Sequence, residues 1–228
     1  MKILHWILGL VLSAAAIIIL LITSFQIAAY ADFGFYEKEY EKYDVLPELD
    51  MKMDDLMYVT HEMMEYLRGD REKLEVITTV EGKEQDFFNE KDRMHMKDVR
   101  VLFIGGLRLR GISILVLVLC ACMLLIMKAD WRRIISRAYQ IILGVTAAVT
   151  IFLGIAFTSN FTAAFEAFHQ VFFEKQNSWI FDPTYDYMIR MLPEGLFADM
   201  LLRIGVLFVA GILILLAGSI FLGKKSKK

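Results

Sequence analysis

Residues 6–29 read WILGLVLSAAAIIILLITSFQIAA, an apolar segment without a single charged residue. A helix needs about 20 such residues to cross the hydrocarbon core of a bilayer, and its backbone amides must pair within the segment. This segment therefore predicts a transmembrane helix. The alternative is a cleaved signal peptide, because Ala29-Tyr30-Ala31 resembles a cleavage site. The apolar region of a signal peptide is shorter, however, at roughly 7–15 residues.

Three further apolar stretches are long enough, or nearly so, to cross a membrane. The chain is 57% hydrophobic, above the ~45–50% usual for soluble domains, and its mean hydropathy is +0.50. We therefore expect an all-α membrane protein with four transmembrane helices and a small external domain of helices and one β-hairpin. The expected segments are the first span (1–29), an extracytoplasmic domain with a helix leading into the second span (30–107), the second span (108–127), a cytoplasmic loop (128–137), the third span (138–157), a second extracytoplasmic loop (158–200), the fourth span (201–222) and a cytoplasmic tail (223–228).

The basic residues indicate how the chain is oriented. Short cytoplasmic loops of membrane proteins carry an excess of lysine and arginine. Such an excess occurs at both termini and between the second and third spans, against the single acid Asp130, whereas the other two loops hold nearly all the remaining acids. We therefore expect both termini inside, and a multi-pass protein of the cytoplasmic membrane whose functional residues lie at its extracellular face. The cations concerned are Lys2, Lys128, Arg132, Arg133, Arg137, Lys224, Lys225, Lys227 and Lys228.

The first external segment contains patterns typical of a helix and a hairpin. A methionine-rich apolar face predicts a helix at about 51–67, where packing is favoured over binding of a soft metal. Strand patterns at 74–80 and 85–88, separated by Glu81-Gly82, predict a β-hairpin. Asn89 is then a plausible N-cap for a helix that leads into the second span.

Two histidines lie in the external segments, close to the membrane. His95 precedes the second span by roughly three helical turns, and His169 follows the third span by roughly three turns. A short loop joins these spans, so we expect antiparallel neighbours that bring the two histidines together just outside the bilayer. Histidine titrates near neutral pH and suits general acid–base chemistry.

Charged residues accompany both histidines in the sequence. Asp98 follows His95 by three residues, on the same face of a helix, where a carboxylate can orient the imidazole ring. Arg108 lies at the start of the second span. It either snorkels and pairs with an acid, or polarises a carbonyl or binds an anionic group. The other nearby acids are Glu90, Glu166 and Asp182.

These residues favour an interfacial acyl-group enzyme that uses histidine as a general base. The sequence has no G-x-S-x-G motif and no cysteine outside the predicted spans, so nothing supports a covalent intermediate. Two alternatives stay open. A metal-dependent membrane hydrolase would use the two histidines with Asp98 or Asp182, although H-E-x-x-H spacing is absent. A non-catalytic sensor of lipids or lipopeptides would use the same surface. The topology argues against nucleic-acid binding.

Two stretches of sequence resemble the signatures of a known family. The first is FNEKDRMHMKDV at 88–99. The second comprises FHQVFF at 168–173, Trp179, FDP at 181–183, Asp186 and LPE at 192–194. In these stretches, and in span count and loop order, the chain is similar to the lipoprotein intramolecular transacylases of Gram-positive bacteria, which are four-span membrane proteins.

The resemblance implies a specific reaction. Such enzymes move the sn-2 acyl chain of a diacylglyceryl lipoprotein onto the α-amino group of its N-terminal cysteine, which gives a lyso-form lipoprotein without any other acyl donor. The resemblance marks His95 and His169 as essential, one as a base towards the amine and the other as an acid towards the departing glyceryl oxygen, in either order. Asp98 would orient His95, and Arg108 and Trp179 are candidates for the oxyanion donor.

The remaining expectations concern supporting residues and partners. Glu90, Arg93 and Asp182 are expected to support the site. Phe168, Phe172 and Trp179 are expected to form a lipid-facing groove, with simple packing as the alternative. We expect a monomer that binds a diacylated lipoprotein and membrane lipids, and we expect no nucleic acid, metal or cofactor.

Overall fold

The computed structural model describes residues 2–173 and 179–225. Within these residues the chain forms nine helices and one two-stranded antiparallel sheet. Residues 174–178 of the expected second external loop and 226–228 of the expected cytoplasmic tail lie outside the described residues. The elements in chain order are α1 (Lys2–Tyr30), α2 (Gly34–Lys42), α3 (Val45–Leu49), α4 (Met53–Arg68), β1 (Ile77–Val80), β2 (Lys83–Asp86), α5 (Glu90–Ile126), α6 (Trp131–Ser159), α7 (Phe161–Phe173), α8 (Tyr187–Met191) and α9 (Glu194–Lys225).

Four helices, α1, α5, α6 and α9, are long and apolar enough to cross a membrane, as the sequence predicts. The chain divides into two compact units, which we call the apolar unit and the polar unit. The apolar unit comprises the residues up to Ala28, Leu107–Ser159 and the residues from Arg203 onward. The polar unit comprises Ala29–Gly106 and Asn160–Leu202.

Helix α1 contributes to both hydrophobic clusters of the apolar unit. Leu8 and Leu12 pack with residues of α5 and α6, and Ile17 packs with Tyr139 of α6 and residues of α9. Gly9 permits the close approach of α1 and α6, because a Cβ at this position would lie 2.5 Å from Cγ2 of Ile134. Helix α1 thus packs against each of the other three apolar helices.

The core of the polar unit is built from α2, α3, α4 and the hairpin. Tyr40 of α2 is completely buried, and its hydroxyl lies 2.7 Å from Oγ1 of Thr60 in α4, within hydrogen-bonding distance. The methionines of α4 that were considered as soft-metal ligands are mostly buried in this unit, as the packing interpretation predicts. Met57, Met63 and Met64 are buried, and Met53, in the first turn of α4, is half-buried.

The predicted hairpin is present, with β1 and β2 paired antiparallel from Ile77↔Asp86 to Val80↔Lys83. Its two turn residues, Glu81 and Gly82, both have positive φ angles, 51° and 71°. In two-residue hairpins, turns with positive φ angles match the right-handed twist of the two flanking strands. Because the turn has only two residues, the second strand begins two residues earlier than the sequence pattern indicates.

The aromatic segment after the third apolar helix folds as a separate helix, α7. Asn160 is the single non-helical residue between α6 and α7. Its side-chain oxygen accepts a hydrogen bond from the backbone N–H of Ala163 at 3.0 Å. This is the geometry of an N-cap, which favours the start of a new helix. Aromatic side chains of α7 are thereby placed at helical spacing.

We expect Gly195→Ala to destabilise the polar unit by about 1–3 kcal/mol through overpacking. A Cβ at this position would lie 2.3 Å from Cζ of Tyr43. The Tyr43 ring cannot move away freely, since its hydroxyl donates to the carboxylate of Asp199 at 2.6 Å. Thermal unfolding of the detergent-solubilised protein, followed by circular dichroism, measures the effect.

The matched control is Gly105→Ala in α5, where an added Cβ would meet nothing within 4 Å. Alanine is favoured over glycine inside helices by up to ~1 kcal/mol, so this variant should be unchanged or more stable. Equal unfolding temperatures for the two variants would contradict the predicted clash.

Candidate active site

A reciprocal cap fixes the start of α5. The side-chain oxygen of Asn89 accepts a hydrogen bond from the backbone N–H of Asp92 at 2.9 Å. In return, Oδ2 of Asp92 accepts one from the backbone N–H of Asn89 at 3.1 Å. Such capping boxes define the first turn of a helix. His95 lies one turn later, and its side chain is only 6% exposed.

His169 is oriented by its own helix. Its Nδ1 lies 2.8 Å from the carbonyl oxygen of Phe165, one turn earlier in α7. A carbonyl oxygen only accepts hydrogen bonds, so Nδ1 carries the proton in this arrangement. The neutral ring therefore presents Nε2 as its proton acceptor.

The structure brings the two predicted histidines together. The ring centroids of His95 and His169 are 6.0 Å apart, and the rings are inclined by only 19°. Both residues belong to the polar unit, although α5 and α7 are distant in sequence. The pair can therefore serve a single reacting group or exchange a proton through a substrate.

Aromatic rings surround the histidine pair. The His95 ring lies 4.9 Å from the ring of Phe173 and 5.3 Å from that of Phe181. The His169 ring lies 4.3 Å from that of Phe165 and 5.3 Å from that of Trp179. These rings help to bury His95 and shield part of the His169 ring from water.

This desolvation lowers the pKa of both histidines. Burial, with a further contribution from His169, lowers the pKa of His95 to about 4. Burial also lowers the pKa of His169, against the opposing effect of its hydrogen bond to the Phe165 carbonyl. Burial disfavours the charged form of an imidazole, so both rings are neutral near pH 7 and available as bases.

A buried acid lies one helical turn before His95. Asp92 is completely buried, and its Oδ1 has no hydrogen-bond partner among the described residues. Nδ1 of His95 is likewise buried without a partner among them. Burial, reinforced by the nearby Asp186, raises the pKa of Asp92 to about 7. Asp92 is thus close to half-protonated at neutral pH.

Asp186 connects the start of α5 to the segment after α7. Its carboxylate accepts hydrogen bonds from the side-chain amide of Asn89 at 2.7 Å and from the backbone N–H of Asp182 at 2.7 Å. It also pairs with Lys91 at 3.6 Å. The Lys91 ammonium lies 5.2 Å from the centre of the Phe181 ring, which in turn contacts His95.

The predicted supporting residues have different surroundings. Arg93 donates to Asp86 of β2 at 2.8 Å, so it ties the hairpin to α5. Asp182 is exposed, and a hydrogen bond from the backbone N–H of Thr184 at 2.9 Å holds its pKa below the usual range. Glu90 is exposed in the first turn of α5. Asp98 is half-buried, and among the described residues it makes no hydrogen bond to either histidine.

The predicted groove residues lie on or beside α7. Phe168 and Phe172 are exposed, with their ring centroids 4.7 Å apart, and Trp179 is half-buried against His169. Arg108 belongs to the apolar unit, where its side chain is exposed. The structure therefore places Trp179 beside His169.

Asp92 and Asp186 lie in the two stretches that carry the family resemblance, but the sequence assigns neither of them a role in the site. The pattern Asn89-x-x-Asp92 is a capping signature, and it identifies Asp92 as a first-turn residue of α5. Nothing in the sequence indicates that this carboxyl is buried. Among the described residues, no group of three or more histidine, cysteine, aspartate or glutamate side chains is arranged to hold a metal ion.

We expect Asp92 and His95 to affect the pH dependence of stability with opposite signs. Between about pH 4 and 7 the folded state binds more protons at Asp92 than the unfolded state, so this residue makes stability fall as pH rises. Between about pH 4 and the ordinary value of 6.5, the unfolded state binds more protons at His95, so that residue makes stability rise.

Asp92→Asn should therefore steepen the gain in stability from pH 4 to 6.5, to which His95 alone contributes up to about 1.4 kcal/mol per pH unit. His95→Gln should make the same gain shallower than in the wild type, because the contribution of His95 is lost while the opposing contribution of Asp92 remains. Denaturant unfolding at a series of pH values provides the measurement. Parallel profiles for the two variants would contradict the assigned protonation states.

The comparisons with known proteins agree with this geometry. The family model described as lipoprotein intramolecular transacylase Lit matches residues 10–197. The solved in meso structure of the membrane-integral lipoprotein intramolecular transacylase Lit from Bacillus cereus superposes with a TM-score of 0.82 and 21% identity, covering 100% of this chain and 99% of that chain. None of the curated proteins matches the chain significantly in sequence.

Two structures of variants of the same Bacillus cereus protein also match, each at 21% identity and over 98% of this chain. One has a histidine replaced by arginine, with a TM-score of 0.75 and 93% of that chain covered. The other has a histidine replaced by alanine, with a TM-score of 0.76 and 95% covered. The family match extends over most of the sequence, and the fold match over all of it. This membrane-integral chain belongs to the lipoprotein intramolecular transacylase family.

Proposed function

We propose that the chain transfers the sn-2 acyl chain of a diacylglyceryl lipoprotein to the α-amino group of its N-terminal cysteine. Family membership supports this reaction. The observation that carries the proposal is the neutral histidine pair in an aromatic environment, with Nε2 of His169 free to accept a proton. The product is a lyso-form lipoprotein.

His169 is the proposed base. The α-amino group of a peptide has a reference pKa of about 8, so most of it must lose a proton before it can attack. Nε2 of His169 accepts that proton. The hydrogen bond from Nδ1 to the Phe165 carbonyl then stabilises the imidazolium, because a charged donor strengthens the bond.

His95 is the proposed donor to the oxygen that becomes negatively charged. When the amine attacks the ester carbonyl, a C–N bond forms, the C–O bond to the glyceryl oxygen breaks, and one proton moves from nitrogen to that oxygen. Neutral His95 donates an N–H hydrogen bond to this oxygen. As the oxygen departs with that proton, His95 regains one from His169, which holds the proton removed from the amine, so both imidazoles end neutral. Trp179, beside His169, is the proposed additional donor through its indole N–H.

Few polar groups suffice because attacker and ester belong to one molecule. Well-oriented intramolecular reactions gain roughly 7–11 kcal/mol relative to their bimolecular counterparts. The site must then mainly hold the lipid so that its ester carbonyl lies next to the amine. It must also take a proton from the amine and supply one to the glyceryl oxygen. The exposed rings of Phe168 and Phe172 are proposed to hold an acyl chain next to the histidines.

The proposed topology places both termini in the cytoplasm, with the polar unit and its histidines at the extracellular face of the cytoplasmic membrane. The uneven distribution of lysine and arginine supports this orientation. The boundaries given above for the four spans, the loops and the tail are part of this proposed topology. We further propose that the chain acts as a monomer, because both histidines come from one polypeptide.

Substitution of either histidine should abolish transfer. We expect His95→Gln and His169→Gln each to lower the rate at least 100-fold, as is typical when a general acid or base is lost. The readout is mass spectrometry of lipoprotein N-terminal peptides from a diacyl-lipoprotein host that expresses each variant. The acyl chain should stay on glycerol, with the total lipid mass unchanged.

The matched control is His61→Gln, because His61 is an exposed histidine of α4 that stacks on Phe33 at 4.0 Å, outside the histidine pair. This variant should retain wild-type transfer. Wild-type activity in a folded His95 or His169 variant would refute the acid–base assignment and favour a non-catalytic sensor.

The orientation is testable by labelling single cysteines in a background without Cys120 and Cys122. We expect Glu84→Cys, at an exposed position of β2, to react with a membrane-impermeant maleimide in intact cells. Lys225→Cys, at the end of α9, should react only after permeabilisation. The reverse pattern would overturn the proposed topology.

A further inference from the structure

A basic groove lies in the apolar unit, between the start of α6 and the end of α9. Its cavity has a volume of about 650 Å³. The lining residues are Arg133, Ser136, Arg137 and Gln140 from α6, and Ile220, Gly223 and Lys224 from α9. The spacing of three and four residues places each set on a single helix face.

Close helix contact forms the floor of this groove. The hydroxyl of Ser219 donates to the carbonyl oxygen of Ser136 at 3.1 Å. A Cβ at Gly223 would lie 2.7 Å from Oγ of Ser136, so only glycine allows α9 to approach α6 this closely. The walls are therefore held at a fixed separation.

The lining of the groove is positively charged, and the carboxylate of Asp130 lies beside it, where it accepts a hydrogen bond from the backbone N–H of Arg133 at 3.4 Å. Three of its lining side chains are cations, namely Arg133, Arg137 and Lys224, and no acid is among the lining residues. Among the described residues, none of the three makes a salt bridge. Cations close to an apolar surface are costly unless they pair or bind an anion.

The donors of the groove suit a phosphate group. Guanidinium groups bind phosphate oxygens through paired hydrogen bonds, and lysine adds a compact positive charge. Ser136 and Gln140 add neutral donors. The apolar side chains Ile141, Ile220 and Phe221 are exposed near these cations, which suits a ligand that also carries hydrocarbon.

We propose that the basic groove binds the phosphate group of an anionic phospholipid, whose acyl chains lie along the exposed apolar faces of α6 and α9. This site is separate from the histidine pair, which belongs to the polar unit. Under the proposed topology it faces the cytoplasmic leaflet, where basic pockets between helices bind anionic headgroups.

The test compares two double variants that remove the same charge. Arg133→Gln/Arg137→Gln removes two cations of the groove. Arg132→Gln/Lys225→Gln is the control, because these cations lie instead over the rings of Trp131 and Phe221, at 5.2 and 4.5 Å from the ring centres. Binding of phosphatidylglycerol, phosphatidylcholine and inorganic phosphate to the purified full-length protein is measured by native mass spectrometry and by the shift in unfolding temperature.

We expect the groove variant to bind phosphatidylglycerol roughly tenfold to thirtyfold more weakly, and the control to stay within about twofold of the wild type. Phosphatidylcholine should bind weakly to all three proteins. Gln140→Glu, which places a carboxylate on the groove wall without removing a cation, should also weaken phosphatidylglycerol binding.

Three results would overturn the proposal. Equal losses in the two double variants would indicate attraction by overall charge alone. Equal affinity for the two lipids would exclude recognition of an anionic headgroup. If inorganic phosphate binds at the groove and phosphatidylglycerol does not compete with it, the groove is a site for a free anion and not for a lipid headgroup.

Discussion

The candidate site depends on the side chain of Asn89. Its oxygen caps the first turn of α5 through Asp92, and its amide nitrogen donates to Asp186 in the segment after α7. The side chain of Asn89 thus fixes where the helix that carries His95 begins. It also links that helix to the segment that follows His169. An aspartate at this position would still cap the helix, but it would lack the donor for Asp186 and place like charges together.

Desolvation acts on the acid and the bases of this site in the same direction, towards the neutral form. The pKa of Asp92 rises to about 7 and that of His95 falls to about 4, so burial leaves His95 uncharged and Asp92 only about half charged at neutral pH. A site of this kind holds little net charge while it contacts a lipid. The cost of keeping charged groups away from water therefore stays small.

The sequence predicts features that depend on composition and local geometry. The four apolar helices follow from hydrocarbon thickness, and the hairpin follows from a two-residue turn at Glu81-Gly82 that tolerates positive φ. The burial of Asp92 was not predictable, because Asp92 and Asp98 both lie three residues from His95 and spacing alone cannot say which faces the core. The Lys91–Phe181 and Asn89–Asp186 contacts join segments far apart in sequence, so only tertiary structure reveals them.

A histidine with a lowered pKa is a weak base, which raises the question of how it could deprotonate an ammonium group whose pKa in water is about 8. The aromatic rings around the pair supply the answer. An α-ammonium group that enters this environment is desolvated by the same rings, and desolvation lowers the pKa of an amine as it does that of an imidazole. The difference in pKa between the substrate ammonium group and His169 is therefore smaller than the lowered pKa of the histidine alone implies.

The carbonyl of Phe165 reduces this difference in pKa further. Its hydrogen bond to Nδ1 favours the charged form of His169 but not that of the substrate amine. In the proposed mechanism, the aromatic surroundings and the Phe165 carbonyl together favour proton transfer from the amine to His169 at neutral pH.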